Sequence, residues 1–239
     1  MAIAVAFVLA GLAWTVRPQD TSWSAHRAAD VGVPHRAARE AVLFIGDSYT
    51  DGRHGLREMS PSCRAAASLG MLCHLSAVPG TGYVSGGPAN RFLVDEYRGA
   101  STSFAERVPS LSQSVDPRVV VLDGGRNDVF VPRRHLLAAM TATVADVHVA
   151  WPRAAIVLER PRFLARPADD LGVDGDLTSR LIRDTTAARI LVIDPIGSLS
   201  TSDTRGLVGP DGVHPNASGD RALAYAIAES LRRRGFDLP

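Results

Sequence analysis

The stretch AVLFIGDSYTD, residues 41–51, joins a run of five apolar residues directly to a Gly-Asp-Ser turn. Continuous apolar runs of this length are typical of strands that are buried on both faces of a parallel sheet. In such sheets, ligands bind beyond the carboxyl ends of the strands. The stretch therefore predicts a buried strand over Ala41–Ile45 that brings Ser48 to the ligand-binding edge.

Four further apolar runs have the same character, and they cover Met71–Val78, Val119–Leu122, Ala154–Leu158 and Ile190–Ile193. Amphipathic segments lie between or after them, and the predicted helices cover 62–69, 132–150, 177–188 and 215–234. An alternation of strands and helices with crossovers of this length implies a parallel sheet with helices on both faces. The sequence therefore predicts an α/β fold, a three-layer, doubly wound, flavodoxin-like sheet of about five parallel strands.

The composition is that of a globular chain without a strong charge bias. Of its 239 residues, 46% are hydrophobic and 21% are charged, and the formal net charge is +1. Every basic residue is Arg, but acidic residues are interleaved with the arginines, so no surface typical of nucleic-acid binding is indicated. A chain of this length suits one domain with a single core.

Residues 2–16 form an uncharged apolar segment, which Arg17-Pro18 ends. The segment is shorter than the roughly 20 residues of a membrane-spanning helix, and its length suits an export signal, although no basic residue precedes it. We expect a signal or anchor segment over 1–16, a linker over 17–40 and one domain over 41–239. The protein is then exported or membrane-anchored, whereas a helix that packs on the domain would leave it cytoplasmic.

The two cysteines, Cys63 and Cys73, lack the spacing of a metal site. A helix over 62–69 and a strand over 71–77 would double back at Gly70 and bring the two thiols within reach of one another. The sequence leaves two alternatives, a disulfide or a pair of inert buried thiols.

Polar and glycine-rich segments follow three of the other predicted strands, and these are Pro79–Tyr83, Gly124–Asp128 and Asp211–Pro215. Glycine lets backbone N–H groups approach a ligand closely, and an Asn amide can donate to a developing oxyanion. Asp and His three residues apart on a tight loop can hydrogen-bond, so that the imidazole is held in one tautomer. Each segment alone also fits an ordinary turn or helix cap, but together they supply a nucleophile, oxyanion donors, a base and its orienting acid.

In order and spacing, Gly46-Asp47-Ser48, Gly80, Gly125–Asp128 and Asp211–His214 resemble the four sequence blocks of the SGNH (GDSL-like) hydrolases, including exported actinobacterial members. The resemblance covers about residues 41–235. It implies that Ser48 is the nucleophile, that His214 is the general base and acid, and that Asp211 orients His214. It also implies an oxyanion hole formed by the Ser48 and Gly80 N–H groups and the Asn127 side chain, with Gly82 as the alternative glycine.

Other residues in or beside these blocks are candidate substrate contacts, namely Asp47, Tyr49, Asp51, Gly82, Tyr83, Arg126 and Asp128. Asp51 also fits a charge at a helix start. The long connection 83–104 is either a substrate loop or a loosely ordered crossover. In 161–175, Arg162 and Arg166 either bind an anionic group or lie on a solvated loop, and the acidic residues lack the spacing of a calcium loop. No metal and no cofactor is expected.

Three functions are compatible with these residues. The first is a serine esterase or lipase-type hydrolase that cleaves acyl esters of carbohydrates or lipids through an acyl-enzyme. The second is an acyltransferase that moves an acyl group, for example octanoyl from acyl-CoA, onto a sugar or glycoside. The third is an inactive carbohydrate-binding domain, which the intact triad disfavours. The expected partners are thus a small acyl ester or acyl-CoA and a sugar acceptor, with residues 2–16 as a membrane tether.

Overall fold

The fold is built on a five-stranded parallel sheet with helices on both faces, as predicted. It is seen in a computed structural model that describes residues 40–52, 56–94, 99–185 and 188–236. The predicted segment 1–16 and nearly all of the linker 17–40 lie outside these ranges. The main strands are β1 Ala41–Gly46, β2 Leu72–Ala77, β5 Val119–Asp123, β6 Ala155–Glu159 and β7 Ile190–Ile193.

The sheet order is β2-β1-β5-β6-β7, and every pairing in it is parallel. This order reverses direction between β1 and β5, where a doubly wound sheet opens its ligand-binding crevice. Gly46 is in register with Asp123 on one side and Ala77 on the other, and Asp123 is in register with Glu159. The carboxyl ends of the three central strands therefore bring Asp123 and Glu159 to the edge at which the Ser48 turn begins.

Six helices complete the described domain, and they are α1 Ser48–Asp51, α2 Pro61–Ser68, α3 Phe104–Leu111, α4 Arg133–Ala150, α5 Gly175–Asp184 and α6 Ala217–Arg232. Alternate residues of each central strand enter opposite core layers, so that Phe44 packs with α2 and α6, while Leu43 packs with α3, α4 and α5. This alternation explains why the strands read as continuous apolar runs. Among the described residues, no helix is long and apolar enough to cross a membrane.

The predicted long connection 83–104 contains more structure than the sequence analysis expected. Strands β3 Leu93–Val94 and β4 Gly99–Ala100 pair as a short antiparallel hairpin, and α3 begins at Phe104. Helix α3 was missed because it is only eight residues long and contains Pro109. A capping box at Ser103 and Glu106 stabilises its start, and the buried Phe104 anchors it to the core.

Cys63 of α2 and Cys73 of β2 form a disulfide, with their Cα atoms 5.2 Å apart. The bridge ties the helix to an edge strand across the turn at Gly70, where the backbone has φ +72°. Of the two alternatives open at the sequence level, the structure contains the disulfide.

Helices α5 and α6 are shorter than predicted, and α5 begins two residues earlier, because Asp174 caps it by accepting from the Leu177 N–H at 2.8 Å. The connection before it, 161–175, is held by ion pairs. Arg162, which is nearly buried, binds Asp194 at 2.8 Å, whereas Arg166 is exposed beside Asp169. Arg162 is therefore engaged within the protein in this structure.

Candidate active site

The three predicted triad side chains are in hydrogen-bond contact at the carboxyl edge of the sheet. Ser48 is the first residue of α1, and its Oγ lies 2.9 Å from Nε2 of His214. Nδ1 of the same imidazole lies 2.8 Å from Oδ2 of Asp211. With Nδ1–H donating to the carboxylate, Nε2 is left as the acceptor for the serine hydroxyl. The arrangement can thus remove the proton from Ser48 as its oxygen attacks.

Asp211 is fixed by more than the imidazole. Its second oxygen, Oδ1, accepts the backbone N–H groups of Val213 and His214, each at 3.0 Å. The hydrogen bond from the His214 side chain, followed by these two N–H groups, holds the pKa of Asp211 well below its usual range. The Asp211 carboxylate is therefore held in its ionised form, and at Nδ1 it would stabilise a positive charge on the His214 imidazole.

The turn that carries Ser48 is held by a capping box. Asp47 accepts the Tyr49 N–H at 2.9 Å, and its own N–H donates to Oγ1 of Thr50 at 3.1 Å. The Thr50 hydroxyl in turn donates to Oδ2 of Asp123 at 2.7 Å. Because the turn is bonded both to itself and to β5, the Ser48 side chain is held at the sheet edge.

Two predicted oxyanion donors are backbone N–H groups. No described residue accepts a hydrogen bond from the N–H of Ser48 or of Gly80. Gly80 has φ +75°, and a Cβ there would lie 2.9 Å from the ring of Phe92, so this position requires glycine. By contrast, the N–H of Gly82 donates to Ser85 O at 2.9 Å. Gly80 is thus the glycine with a donor to spare.

The third predicted donor, the Asn127 amide, is hydrogen-bonded within the protein. Its nitrogen donates to Thr81 O at 2.8 Å and to Oδ2 of Asp47 at 3.3 Å. The longer contact is the weaker one. A developing oxyanion would replace the bond to Asp47 and leave the bond to Thr81 as the anchor.

Asp128 holds the loop of residues 79–85, called here the glycine loop because it contains Gly80 and Gly82. Its buried carboxylate accepts the N–H groups of Tyr83 and Ser85, each at 2.8 Å, and that of Val84 at 3.3 Å. A Cβ on Gly82 would lie 2.3 Å from this carboxylate, which explains the second glycine of the loop. Asp128 therefore fixes the loop whose first glycine is Gly80.

A buried charge cluster of Asp47, Asp123, Arg126 and Glu159 lies beneath the site, and each member is at most 3% exposed. The Arg126 guanidinium is 2.6 Å from Asp123, 3.6 Å from Asp47 and 3.7 Å from Glu159. One cation thus faces three carboxyl groups. No described residue forms a hydrogen bond with either oxygen of the Glu159 side chain.

Burial dominates the pKa values in this cluster. It raises the pKa of Asp47 to about 6, against the opposing effect of Arg126, and raises the pKa of Glu159 well above its usual value. For Arg126 burial alone would lower the pKa, but Asp123, Asp47 and Glu159 together raise it. The Arg126 side chain is therefore a permanent cation, whereas burial disfavours the charged form of Glu159.

The candidate substrate contacts fall into two groups. Five of them are buried, and these are Asp47, Tyr49, Tyr83, Arg126 and Asp128. Such positions favour a supporting role over direct contact with substrate. Asp51, in contrast, lines a cavity of about 380 Å³ together with Ser76 and Val78.

Three supporting residues were missed in the sequence analysis. Thr50 and Glu159 carry no motif of their own, and only the strand register places Glu159 beside Asp123. Arg107 lies on the unpredicted helix α3, and it donates to Gly46 O at 3.2 Å and to Ser76 O at 2.6 Å. The capping-box pattern of residues 47–50 is the one signal that could have identified Thr50.

No metal centre is built into the part of the chain that the structure describes. Within it, no group of three or more His, Cys, Asp or Glu side chains has the geometry to hold a metal ion. The acidic side chains of 161–175 instead pair with arginines, Asp170 with Arg160 and Asp174 with Arg133.

Comparison with known proteins agrees with this geometry. Residues 44–222 match the model of the GDSL-like Lipase/Acylhydrolase family. The chain is 29% identical to GDSL lipase Rv0518 of Mycobacterium tuberculosis over 212 residues, which is 78% of this chain and 79% of that protein.

Two solved structures share the fold. The psychrotrophic esterase EstA from Pseudoalteromonas sp. aligns with a TM-score of 0.59 at 15% identity, over 82% of this chain and 98% of that one. Est24, a carbohydrate acetylesterase from Sinorhizobium meliloti, aligns with a TM-score of 0.56 at 20% identity, over 82% of this chain and 100% of that one. The family match extends from β1 into α6 and includes every residue of the candidate site, so the chain belongs to the GDSL-like lipase/acylhydrolase family.

Proposed function

We propose that this protein is a serine ester hydrolase in which Ser48, His214 and Asp211 act as nucleophile, general base and orienting acid. The observation that carries the proposal is the unbroken hydrogen-bond chain from Asp211 through His214 to Ser48, at 2.8 and 2.9 Å. Ser48 Oγ attacks the ester carbonyl while its proton passes to His214. The imidazolium then protonates the departing alcohol. In the second half-reaction His214 deprotonates a water molecule, which attacks the acyl carbonyl, and Ser48 leaves with its proton restored.

The oxyanion of each tetrahedral intermediate is stabilised by the N–H groups of Ser48 and Gly80 and by the amide of Asn127. The two N–H groups have no acceptor among the described residues, and the Asn127 amide exchanges its long bond to Asp47 for the oxyanion. Loss of one donor in such a hole typically costs about 3–4 kcal/mol of transition-state stabilisation. The glycine loop and the Asn127 turn are joined through Asp128, which keeps these donors in a fixed relation.

Hydrolysis is favoured over acyl transfer because the triad is open to water. The side chains of His214 and Asp211 are 38% and 48% exposed. A transferase must keep water from the acyl-enzyme until a sugar or glycoside acceptor arrives, whereas the base and its orienting acid here are open to solvent. Release of p-nitrophenol from p-nitrophenyl octanoate, with or without added sugar, tests the assignment. Formation of acylated sugar in place of free octanoate would instead favour the alternative function, acyl transfer onto a sugar acceptor.

Apolar side chains at the site support a lipid-like or acylated-carbohydrate ester as substrate. Val213 directly precedes His214, Phe130 follows Asn127 by three residues, and the ring of Phe92 faces Gly80. Phe130 is 96% exposed, and Val213 and Phe92 are also partly exposed. Apolar surface beside three catalytic positions can accommodate an acyl chain, whose burial there is favourable.

Replacing Phe130 with Ser should therefore lower kcat/KM for p-nitrophenyl octanoate by about tenfold, a loss of about 1.4 kcal/mol of apolar contact. The value for p-nitrophenyl acetate should stay within about twofold, since acetate is too short to reach this side chain. Val149→Ser is the matched control. Val149 is 81% exposed, and its neighbour Ala150 lines a cavity with Glu40 at the opposite edge of the sheet. Equal losses for both esters would contradict a role for Phe130 in acyl binding.

We also propose that the protein works in an oxidising compartment, as an exported or membrane-tethered enzyme. The Cys63–Cys73 disulfide supports this location, because disulfides persist outside the reducing cytosol. Residues 2–16 would serve as the export signal or tether. Alkylation of both thiols in protein recovered from the cytosolic fraction of the native cell would contradict the proposal.

A further inference from the structure

We propose that Tyr49 is a positioning residue that fixes the general base and the oxyanion donor from beneath the site. The inference rests on the proposed esterase function and adds a residue to it. Tyr49 follows the nucleophile directly and is 1% exposed. Its hydroxyl hydrogen-bonds to the loop that carries His214, and its ring contacts Arg126 of the buried charge cluster beside Asn127.

The first contact ties the nucleophile's turn to the loop of the base. The Tyr49 hydroxyl donates to Val213 O at 2.5 Å, one residue before His214, whose Nε2 lies 2.9 Å from Ser48 Oγ. Two adjacent residues of one segment thus bridge to two adjacent residues of the other. The hydroxyl also accepts the Leu164 N–H at 3.3 Å, so a third segment converges on the same oxygen.

The loop of the base has few other fixed points. Its described backbone hydrogen bonds are mostly local, such as Gly209 N–H to His214 O at 2.8 Å and Gly212 N–H to Gly209 O at 3.0 Å. Asp211 also bonds within the loop. Tyr49 therefore supplies a long-range bond, 164 residues away in sequence from its partner. Burial raises the pKa of Tyr49 to about 12, so the hydroxyl remains a donor over the working pH range.

The second contact is made by the ring. The Arg126 guanidinium carbon lies 4.3 Å from the centre of the Tyr49 ring, in a cation–π contact. Arg126 is 3.6 Å from Asp47, and Asp47 accepts from the Asn127 amide. Phe163 also packs edge-on against the Tyr49 ring, with the two ring centres 6.0 Å apart. One side chain thus supports both the base and, through Arg126 and Asp47, the oxyanion donor.

Tyr49→Phe separates the two contacts, because it removes the hydroxyl and keeps the ring. With p-nitrophenyl acetate we expect kcat per active site to fall about tenfold to a hundredfold, since small misplacements of a catalytic group have effects of this size. KM should change less than about twofold, because the ester does not contact Tyr49. Titration with a serine-reactive phosphonate counts the active sites, so that partial unfolding is not mistaken for a slower reaction.

Tyr225→Phe is the control variant. Tyr225 lies on α6 and is 70% exposed, so loss of its hydroxyl should leave kcat and KM unchanged. A Tyr49→Phe enzyme whose kcat per titrated site is within twofold of the wild type would overturn the positioning role. A wild type that neither hydrolyses esters nor reacts with the phosphonate would instead refute the esterase proposal, so the two failures are distinguishable.

If Tyr49→Phe does not fold, the wild-type enzyme provides a second test. A hydroxyl proton held between Tyr49 and the Val213 carbonyl should exchange slowly with water and give a separate NMR resonance with a nuclear Overhauser contact to Val213. Absence of that resonance in the folded enzyme, with the buried ring signals of Tyr49 assigned, would overturn the inference.

Discussion

Ser48→Ala should lower kcat for ester hydrolysis about a million-fold, because the acyl-enzyme can no longer form. Removal of the nucleophile from a complete triad has an effect of this order, and the remaining rate comes from binding and the oxyanion hole. In this protein the loss should not affect folding, since the Ser48 side chain bonds to His214 and not to the buried charge cluster. The rate of p-nitrophenol release measures the loss of kcat, and labelling by a fluorophosphonate measures the loss of the reactive serine.

Ser112→Ala provides the matched control for this substitution. Ser112 is exposed at the end of α3, and its hydroxyl bonds to Pro109 O of the same helix. We expect that variant to keep the wild-type rate and the wild-type labelling. Labelling of Ser48→Ala by the fluorophosphonate would show that another residue is the nucleophile and would refute the assignment of the triad.

Arg126→Met should have the largest effect on stability. It removes the cation of the buried charge cluster and leaves Asp123, Asp47 and Glu159 without compensation. Removing one partner of a buried ion pair lowers the free energy of unfolding by about 3–5 kcal/mol. In a domain of this size, that loss corresponds to a Tm lower by about 6–20 °C. Urea unfolding at pH 7, followed by circular dichroism, measures the loss.

The deficit of Arg126→Met should grow as the pH rises. The pKa of Asp47 is about 6 even with Arg126 present, and without the cation it rises further. The folded state then keeps a proton that the unfolded chain releases above its own pKa of about 4, so stability is retained below about pH 4 and lost as the pH rises beyond 6. Unfolding measured at pH 4.5 and at pH 7.5 compares the two regimes.

Two variants sharpen this prediction. Arg205→Met removes an arginine that forms an exposed pair with Asp203, and we expect no measurable change in unfolding. Asp123→Asn, added to Arg126→Met, removes one of the uncompensated carboxylates and should restore part of the lost stability. An Arg126→Met protein within about 1 kcal/mol of the wild type would contradict the view that this cation stabilises the site.

The elements that could be predicted are those whose structure follows from residues adjacent in sequence. Strands β1 and β5 are buried on both faces, so each appears as an unbroken apolar run, and polar residues directly after the runs fall at the same edge because the strands are parallel. For the same reason Ser48 and Asn127 were placed at one edge, whereas His214 was identified from its spacing to Asp211 and from the family resemblance. The disulfide remained open at that stage because the sequence puts Cys63 and Cys73 within reach of one another, but their oxidation also depends on the compartment.

The rest depends on contacts between distant residues. Tyr49 was a candidate substrate contact because it adjoins the nucleophile, and only packing reveals that its hydroxyl reaches Val213. Glu159 reads as the end of an apolar run, and its place beside Arg126 follows from the register of β5 and β6. Helix α3 has a weak local signal and is stabilised by burying Phe104 against the rest of the core.

The order of the catalytic groups along the chain also bears on how the enzyme acquires activity. Ser48 and His214, whose side chains meet at 2.9 Å, are 166 residues apart in sequence, and the loop of His214 leads into α6. Contacts of such long separation close a large loop and form late in folding. A partly synthesised or incompletely folded chain can therefore carry a correctly formed nucleophile turn and still have no base. Under the proposed mechanism, ester hydrolysis therefore requires that the segments of Ser48 and His214 have both docked on the sheet.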